Sequence, residues 1–248
     1  FSKPKLYNNM AKWQERAALL FKDQGLHNLK NSNVLIVGVG GVGSFAAEFL
    51  ARAGVGKITI VDGDVVDITN INRQLPALHS TVGMSKIEVV GNRLLDINPE
   101  LELTKMQEFL SPERAFEIVT KDYDYVMDCI DSVTPKINLI RGAKRQRVKI
   151  ISSMGAGGKM EASKVKVADI SNTVNCVFAK AIRKRLKAQN INKLKVVFSS
   201  EIQDESSLKL TDGSNYKKSF YGTNSYMPGL FGLYAAETVI RYLLKNNK

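Results

Sequence analysis

Val34-Leu-Ile-Val-Gly-Val-Gly-Gly-Val-Gly43 decides how this chain is read. Four apolar residues bounded by Asn33 and a glycine make a short buried strand, and a helix-patterned stretch runs from the last glycine through Arg52. A strand that turns into a helix through G-x-G-x-x-G aims free backbone N–H groups and the positive end of a helix dipole at a phosphate. After the break at Gly54 and Gly56 comes Ile58-Thr-Ile-Val61, a second strand ending in Asp62, 24 residues beyond Gly38. A carboxylate there accepts hydrogen bonds from ribose hydroxyls. Gly38, Gly40, Gly41, Gly43 and Asp62 are therefore candidate nucleotide-binding residues. On these residues alone, a nicotinamide dinucleotide fits as well as ATP.

The alternation continues outward. Helical spacing at Ser85–Ile97, a strand at Leu101–Met106, a helix at Pro112–Thr120 and a strand at Asp124–Cys129 follow in turn. Thr134-Pro135 reads as a helix cap with a first-turn proline, and Lys149–Ile151 as the next strand. Strands separated by single helices predict an α/β fold, a Rossmann-like doubly wound, mostly parallel sheet. Past residue 160 the pattern changes to strands at Lys164–Ala168 and Leu194–Ser199 around a helix at Val174–Ala188, predicting added antiparallel edge strands. An N-terminal helix around Trp13–Phe21 and a C-terminal helix complete the expectation of one domain over residues 1–248. Within it, residues 1–30 form an N-terminal helical segment and residues 160–228 a substrate-side insertion.

The 248 residues are 44% hydrophobic, enough for a sizeable core, which argues against disorder. Thirty-six Lys and Arg against 24 Asp and Glu leave +12, a charge suited to a polyanionic partner. Cys129 and Cys176 stand alone, with no CxxC pair for zinc and no disulfide framework, which fits a reducing, cytoplasmic interior. No stretch matches the roughly twenty uncharged apolar residues of a membrane span, so no integral membrane segment is expected. The nearest, residues 225–244, carries Glu237 and Arg241. Peripheral contact with an anionic membrane surface is the minor alternative.

The segment after the second strand tilts the choice of nucleotide. In Asp62-Gly-Asp-Val-Val-Asp-Ile-Thr-Asn-Ile-Asn-Arg-Gln74, two carboxylates are followed by amides and a cation. Hydride transfer has no use for such a cluster. A triphosphate reacting at its α-phosphorus needs cations and Mg²⁺ to absorb developing charge.

With these residues in place, the chain resembles the ubiquitin-activating-type adenylating superfamily, on five separated motifs: the Arg16 segment, Gly38–Gly43, Asp62–Gln74, Gly83-Met-Ser-Lys86 and Asp128-Cys-Ile-Asp131. Within it, Asp131-Ser-Val-Thr-Pro-Lys136, Gly155-Ala-Gly-Gly158, Val197-Phe-Ser-Ser-Glu201 and Ser225-Tyr-Met-Pro228 resemble the tRNA threonylcarbamoyladenosine dehydratases. That resemblance implies roles. The glycines, Asp62, Asp64, Asn70, Arg73, Gln74, Lys86 and Ser132 would hold ATP, and Asp131 would hold Mg²⁺. Arg73 and Lys86 would neutralise the phosphates, and Arg16 would reach across a homodimer interface into the partner's site. It also implies an acyl-adenylate closed by intramolecular attack, which asks for no catalytic cysteine. Whether a monovalent cation supports the fold, and whether a sulfur-transfer protein is a partner, stay open.

A tRNA partner also has a footprint in the charge. Residues 136–195 hold sixteen Lys and Arg against Glu161 and Asp169, a local +14 that exceeds the charge of the whole chain. One cluster is Arg141–Lys149. The other is helical, with Lys180, Arg183, Lys184 and Lys187 as candidate phosphate contacts. Tyr216, Phe220, Tyr221 and Tyr226, interleaved with Lys217 and Lys218, would stack on unpaired bases or anchor a surface loop. The competing readings are an adenylyltransferase for a sulfur-carrier or ubiquitin-like protein, for which Cys176 is the thiol to weigh, then a nicotinamide oxidoreductase, then a non-catalytic RNA-binding module.

Overall fold

Along β1 (Asn33–Val37) successive side chains point to opposite faces, and both faces are buried: Val34 and Ile36 enter one core, Leu35 and Val37 the other. The computed structural model describes residues 12–210 and 219–245. Among them β1 is flanked by β2 (Lys57–Val61) and β4 (Tyr125–Asp128), with β3 (Glu102–Met106), β5 (Lys149–Ser153), β6 (Val165–Asp169) and β7 (Lys195–Ser199) beyond. The sheet order is β3-β2-β1-β4-β5-β7-β6, parallel throughout except for β6 against β7. The expected doubly wound sheet with an antiparallel edge is what forms.

Helices cover both faces. On one lie α1 (Glu15–Lys30), α2 (Gly43–Ala53), α3 (Lys86–Ile97) and α7 (Met227–Leu243), contributing Leu29, Leu50, Leu94, Phe231 and Val239 to the core. On the other, α4 (Pro112–Glu117), α5 (Val133–Gln146) and α6 (Val177–Lys187) contribute Ala115, Leu139, Ile140, Ile182 and Leu186. Because β1 pairs with β2 on one side and β4 on the other, the connections leave the sheet centre in opposite directions. The crevice this opens beyond the strand C-termini is where such sheets bind ligands.

Three local features differ from the sequence reading. Ser132, extended at φ −106° and ψ 144°, is the residue before α5, so Thr134 and Pro135 fall inside the first turn. There a proline's missing N–H costs nothing, since first-turn N–H groups have no helical partner. The first helix begins as a short 3₁₀ turn at Lys12–Gln14, and α1 is broken at Lys22, whose φ of 61° and ψ of 171° are not helical. Finally, β8 (Leu208–Leu210) and β9 (Ser219–Tyr221) form a separate antiparallel pair that residue periodicity did not reveal, each strand being only three residues long.

Candidate active site

The glycine loop is set by contacts that exclude a Cβ. Gly38, at φ 87°, donates its N–H to Val61 O (2.8 Å), and a Cβ there would stand 2.9 Å from Cys129 O. Gly43 opens α2 where a Cβ would collide with Gly38 O. Gly43→Ala therefore lowers stability by about 3 kcal/mol through forced backbone displacement. For a chain of this length that lowers Tm by roughly 6–12 °C, measurable by thermal denaturation. An unchanged Tm would show that the loop has room to open.

Asp62 locks this loop to the end of β2. Its Oδ2 accepts from Val39 N–H (2.8 Å) and its Oδ1 from Asp64 N–H (2.9 Å). Burial pushes its carboxyl up, opposed by those two N–H groups and the charge of Lys86. Residues 64–66 in turn pair with 83–86 through Lys86 N to Asp64 O, Val66 N to Met84 O and Gly83 N to Val66 O. This brings the Lys86 side chain, 6% exposed, to Asp64 Oδ2 at 2.7 Å.

The Asn70–Gln74 segment lies over the glycines from the other side. Asn70 is buried, accepting from Asp67 N–H in a reciprocal cap with the Asp67 carboxylate. Gln74 sets its amide against Gly40, and its Oε1 is buried without a hydrogen-bond partner. An orphaned acceptor beside a phosphate-type loop fits a ligand that brings its own donor. Arg73 donates to Thr69 O (3.0 Å) and Asn72 Oδ1 (2.8 Å); burial lowers its pKa while the charge of exposed Asp131 acts the other way. Asp131 and buried Ser132 sit between β4 and α5, at the crevice. The structure thus gathers Gly38–Gly43, Asp62, Asp64, Asn70, Arg73, Gln74, Lys86, Asp131 and Ser132 at one end of the sheet. Of the three carboxylates there, Asp62 and Asp64 are engaged by backbone N–H groups and Lys86, and exposed Asp131 together with substrate phosphates is a donor set that suits Mg²⁺.

Residues 14–248 match the ThiF family. The chain belongs to the ThiF family. Its similarity to the tRNA threonylcarbamoyladenosine dehydratase of Bacillus subtilis (strain 168) is 40% identity over 239 residues, 93% of this chain and 94% of that protein. Among solved structures, the Escherichia coli tRNA N6-threonylcarbamoyladenosine dehydratase in complex with AMP superposes with a TM-score of 0.84 at 33% identity, covering 95% of this chain and 96% of that one. The same enzyme in complex with ATP gives 0.84 at 32%, with the same coverage.

In this ThiF-family chain the remaining predicted residues that the structure describes are not part of that cluster. Arg16 is exposed on α1, on a surface that also shows Trp13, Leu19 and Leu20. Lys180, Lys184 and Lys187 are exposed on α6, whereas Arg183 turns inward and donates to Ile170 O (3.1 Å), Thr173 O (3.1 Å) and the Thr173 hydroxyl. Cys176, the thiol to weigh for a carrier-protein reading, is buried just before α6, where its Sγ accepts from Ala179 N–H. Cys129 is half-buried, and its thiol is pushed up to about 12, first by burial and then by the charge of Asp128. Tyr216, Lys217 and Lys218 lie outside the described residues. Phe220 and Tyr221 are in β9, and Tyr226 donates its hydroxyl to Met160 O (2.7 Å).

Sequence reasoning missed the polar ties that assemble the far side of the crevice. Asn72 Nδ2 donates to Thr223 O (2.9 Å) and Asn224 Nδ2 to Lys159 O (3.0 Å), joining the Arg73 turn and the Gly155–Gly158 loop to the start of α7. Lys159, 2% exposed, donates to Ser199 O (2.8 Å), Glu201 O (3.1 Å) and Asn175 O (3.3 Å). Its position directly after Gly-Gly was the available signal. Among the described residues no helix is long and apolar enough to cross a membrane.

Proposed function

We propose that this chain is an ATP-dependent tRNA threonylcarbamoyladenosine dehydratase. The observation that carries the reading is 40% identity to the Bacillus subtilis dehydratase sustained over 93% of the chain rather than over the nucleotide-binding half alone. In the first step a carboxylate oxygen of the threonylcarbamoyl group attacks the α-phosphorus of ATP and the bond to pyrophosphate breaks. In the second, the urea of the same side chain attacks the activated carbonyl carbon, and AMP leaves carrying the former carboxylate oxygen. Ring closure within one side chain has a high effective molarity, so positioning and charge stabilisation are what the protein supplies.

The site residues take these roles in the proposal. Gly38, Gly40, Gly41 and Gly43 cradle phosphate, Asp62 binds ribose, and Asn70, Gln74 and Ser132 line the nucleotide. Lys86, oriented by Asp64, and Arg73 face the transferring phosphoryl group. Asp131 would hold Mg²⁺, which supplies charge neutralisation at the phosphates when bound. Arg16 acts from the partner of a homodimer, a reading supported by its exposure beside Trp13, Leu19 and Leu20. Ser199 O, Glu201 O and Asn175 O converge on the Lys159 ammonium, so positive charge already fills that cluster. The buried Cys176, bonded within its own helix turn, favours tRNA over a thiol-linked carrier protein as substrate.

The deciding experiment incubates the protein with ATP-Mg²⁺ and tRNA bearing threonylcarbamoyladenosine, digests the tRNA, and reads the nucleosides by mass spectrometry beside AMP release. Loss of one water matched by one AMP is expected. Pyrophosphate exchange with a small carrier protein and none with tRNA would replace the substrate and keep the ATP site.

Exposed lysines on α6 give the tRNA side its own test. Lys180→Glu, Lys184→Glu and Lys187→Glu together weaken tRNA binding by more than about tenfold and flatten its salt dependence by roughly three phosphate contacts. ATP affinity stays at the parent value. Arg183 is left intact in that variant because its guanidinium holds the 170–173 turn.

A further inference from the structure

Beneath the crevice lies a charge pair for which adenylate chemistry has no direct use. Lys136 and Asp128 are each 0% exposed at the side chain and 2.7 Å apart, Nζ to Oδ2. Lys136 spends its other two donors on Ser152 Oγ (3.1 Å) and Ser153 O (3.0 Å), and Ser152 Oγ donates to Asp128 Oδ2 (2.6 Å). Asp128 Oδ1 accepts from Ile130 N–H (3.1 Å). Every donor of the ammonium is used, and both carboxylate oxygens are engaged.

The placement matters more than the pairing. Asp128 ends β4, Lys136 stands one turn into α5, and the residues between them include Asp131. Cys129 N–H extends the sheet to Val37 O (2.9 Å), and Ile130 N–H is tied to Asp128, so the backbone leading to Asp131 is held at two successive residues. The same ammonium grips Ser153 O, where β5 ends and the Gly155–Gly158 loop begins. Buried ion pairs are often replaceable by apolar residues without loss of stability, so stability alone is a poor account of this one.

We propose that the Asp128–Lys136 pair is a positioning device that sets Asp131 for Mg²⁺ and fixes the Gly155–Gly158 loop beside it. This rests on the reading of Asp131 as the metal-holding carboxylate. The test is Asp128→Leu with Lys136→Met, which removes both charges together and keeps apolar volume in their place. Three quantities are measured: Tm, amide hydrogen exchange, and the factor by which Mg²⁺ tightens ATP binding, with Asp131→Ala in parallel. The double variant folds, exchange rises in residues 129–132 and 153–158 only, and the Mg²⁺ factor falls at least about tenfold, the size expected when an outer partner of a metal ligand is lost. ATP binding without Mg²⁺ is unchanged.

A folded double variant with the parent's Mg²⁺ factor would overturn the proposal, whatever its exchange shows, and leave the pair as core filling. An unchanged Mg²⁺ factor in Asp131→Ala would instead remove the metal reading and the positioning role with it. If the double variant fails to fold, Ser152→Ala removes one hydrogen bond from each partner without unbalancing charge. It is then expected to lower the Mg²⁺ factor severalfold, and no change there would equally overturn the proposal.

Discussion

Asp131→Ala leaves a folded protein that binds ATP and releases almost no AMP, with turnover down at least about thousandfold. Asp131 is exposed at the mouth of the crevice, so its removal disturbs little packing, and exposed substitutions of this kind shift stability by about 0.5 kcal/mol or less. Its value is electrostatic. The same carboxylate acts on Arg73, so its loss takes the proposed metal anchor and an orienting charge from the phosphates in one step. Removing a single preorganised group of this type costs a hundred- to a thousandfold elsewhere, and two effects are combined here. Chromatographic AMP measurement beside a thermal melt checks both halves, and normal turnover would dismiss Asp131 from the metal site.

Lys86→Met separates activity from stability in the same way, by a different route. The ammonium is nearly buried, but Asp64 is half exposed, so breaking the pair leaves a carboxylate that water can solvate, at a cost of about 1 kcal/mol. The methionine keeps most of the side-chain volume at the start of α3. Activity falls much further, by a hundredfold or more in kcat/KM, because the cation proposed to face the phosphates is lost. Asp64→Asn is milder, since it loosens the lysine without removing its charge. Equal losses in the two variants would mean that the pair, not the cation, is what matters.

The clustering of the glycine loop with Asp62 and Lys86 was legible because these residues are local in sequence to strand and helix ends. Gly38–Gly43, Asp62 and Lys86 each sit at the end of a strand or the start of a helix, and those boundaries are written in glycine spacing and apolar runs. The doubly wound order followed from strand–helix alternation, and the antiparallel edge from the break in it past residue 160. What stayed hidden was contact between distant segments. Lys136 is one cation among sixteen in residues 136–195 until β4 and β5 are adjacent and its carboxylate partner is seen at the end of a buried strand. Arg183 and Lys184 read as like members of one basic run, yet one faces the carbonyls of the 170–173 turn and the other solvent. The β8–β9 pair carries too few residues for alternation to register.

The order in which the chain is made bears on when the crevice can work. The glycine loop and α2 are synthesised early, but α7, made long after them, is what covers α2: a Cβ on Gly232 would stand 2.5 Å from Val42 O. Asn72 likewise finds its partner only at Thr223. Contacts across such separations form late, after the loop-closure entropy has been met. A nascent chain stalled before Met227 therefore presents the glycine loop without its backing, and the crevice is complete only when α7 docks.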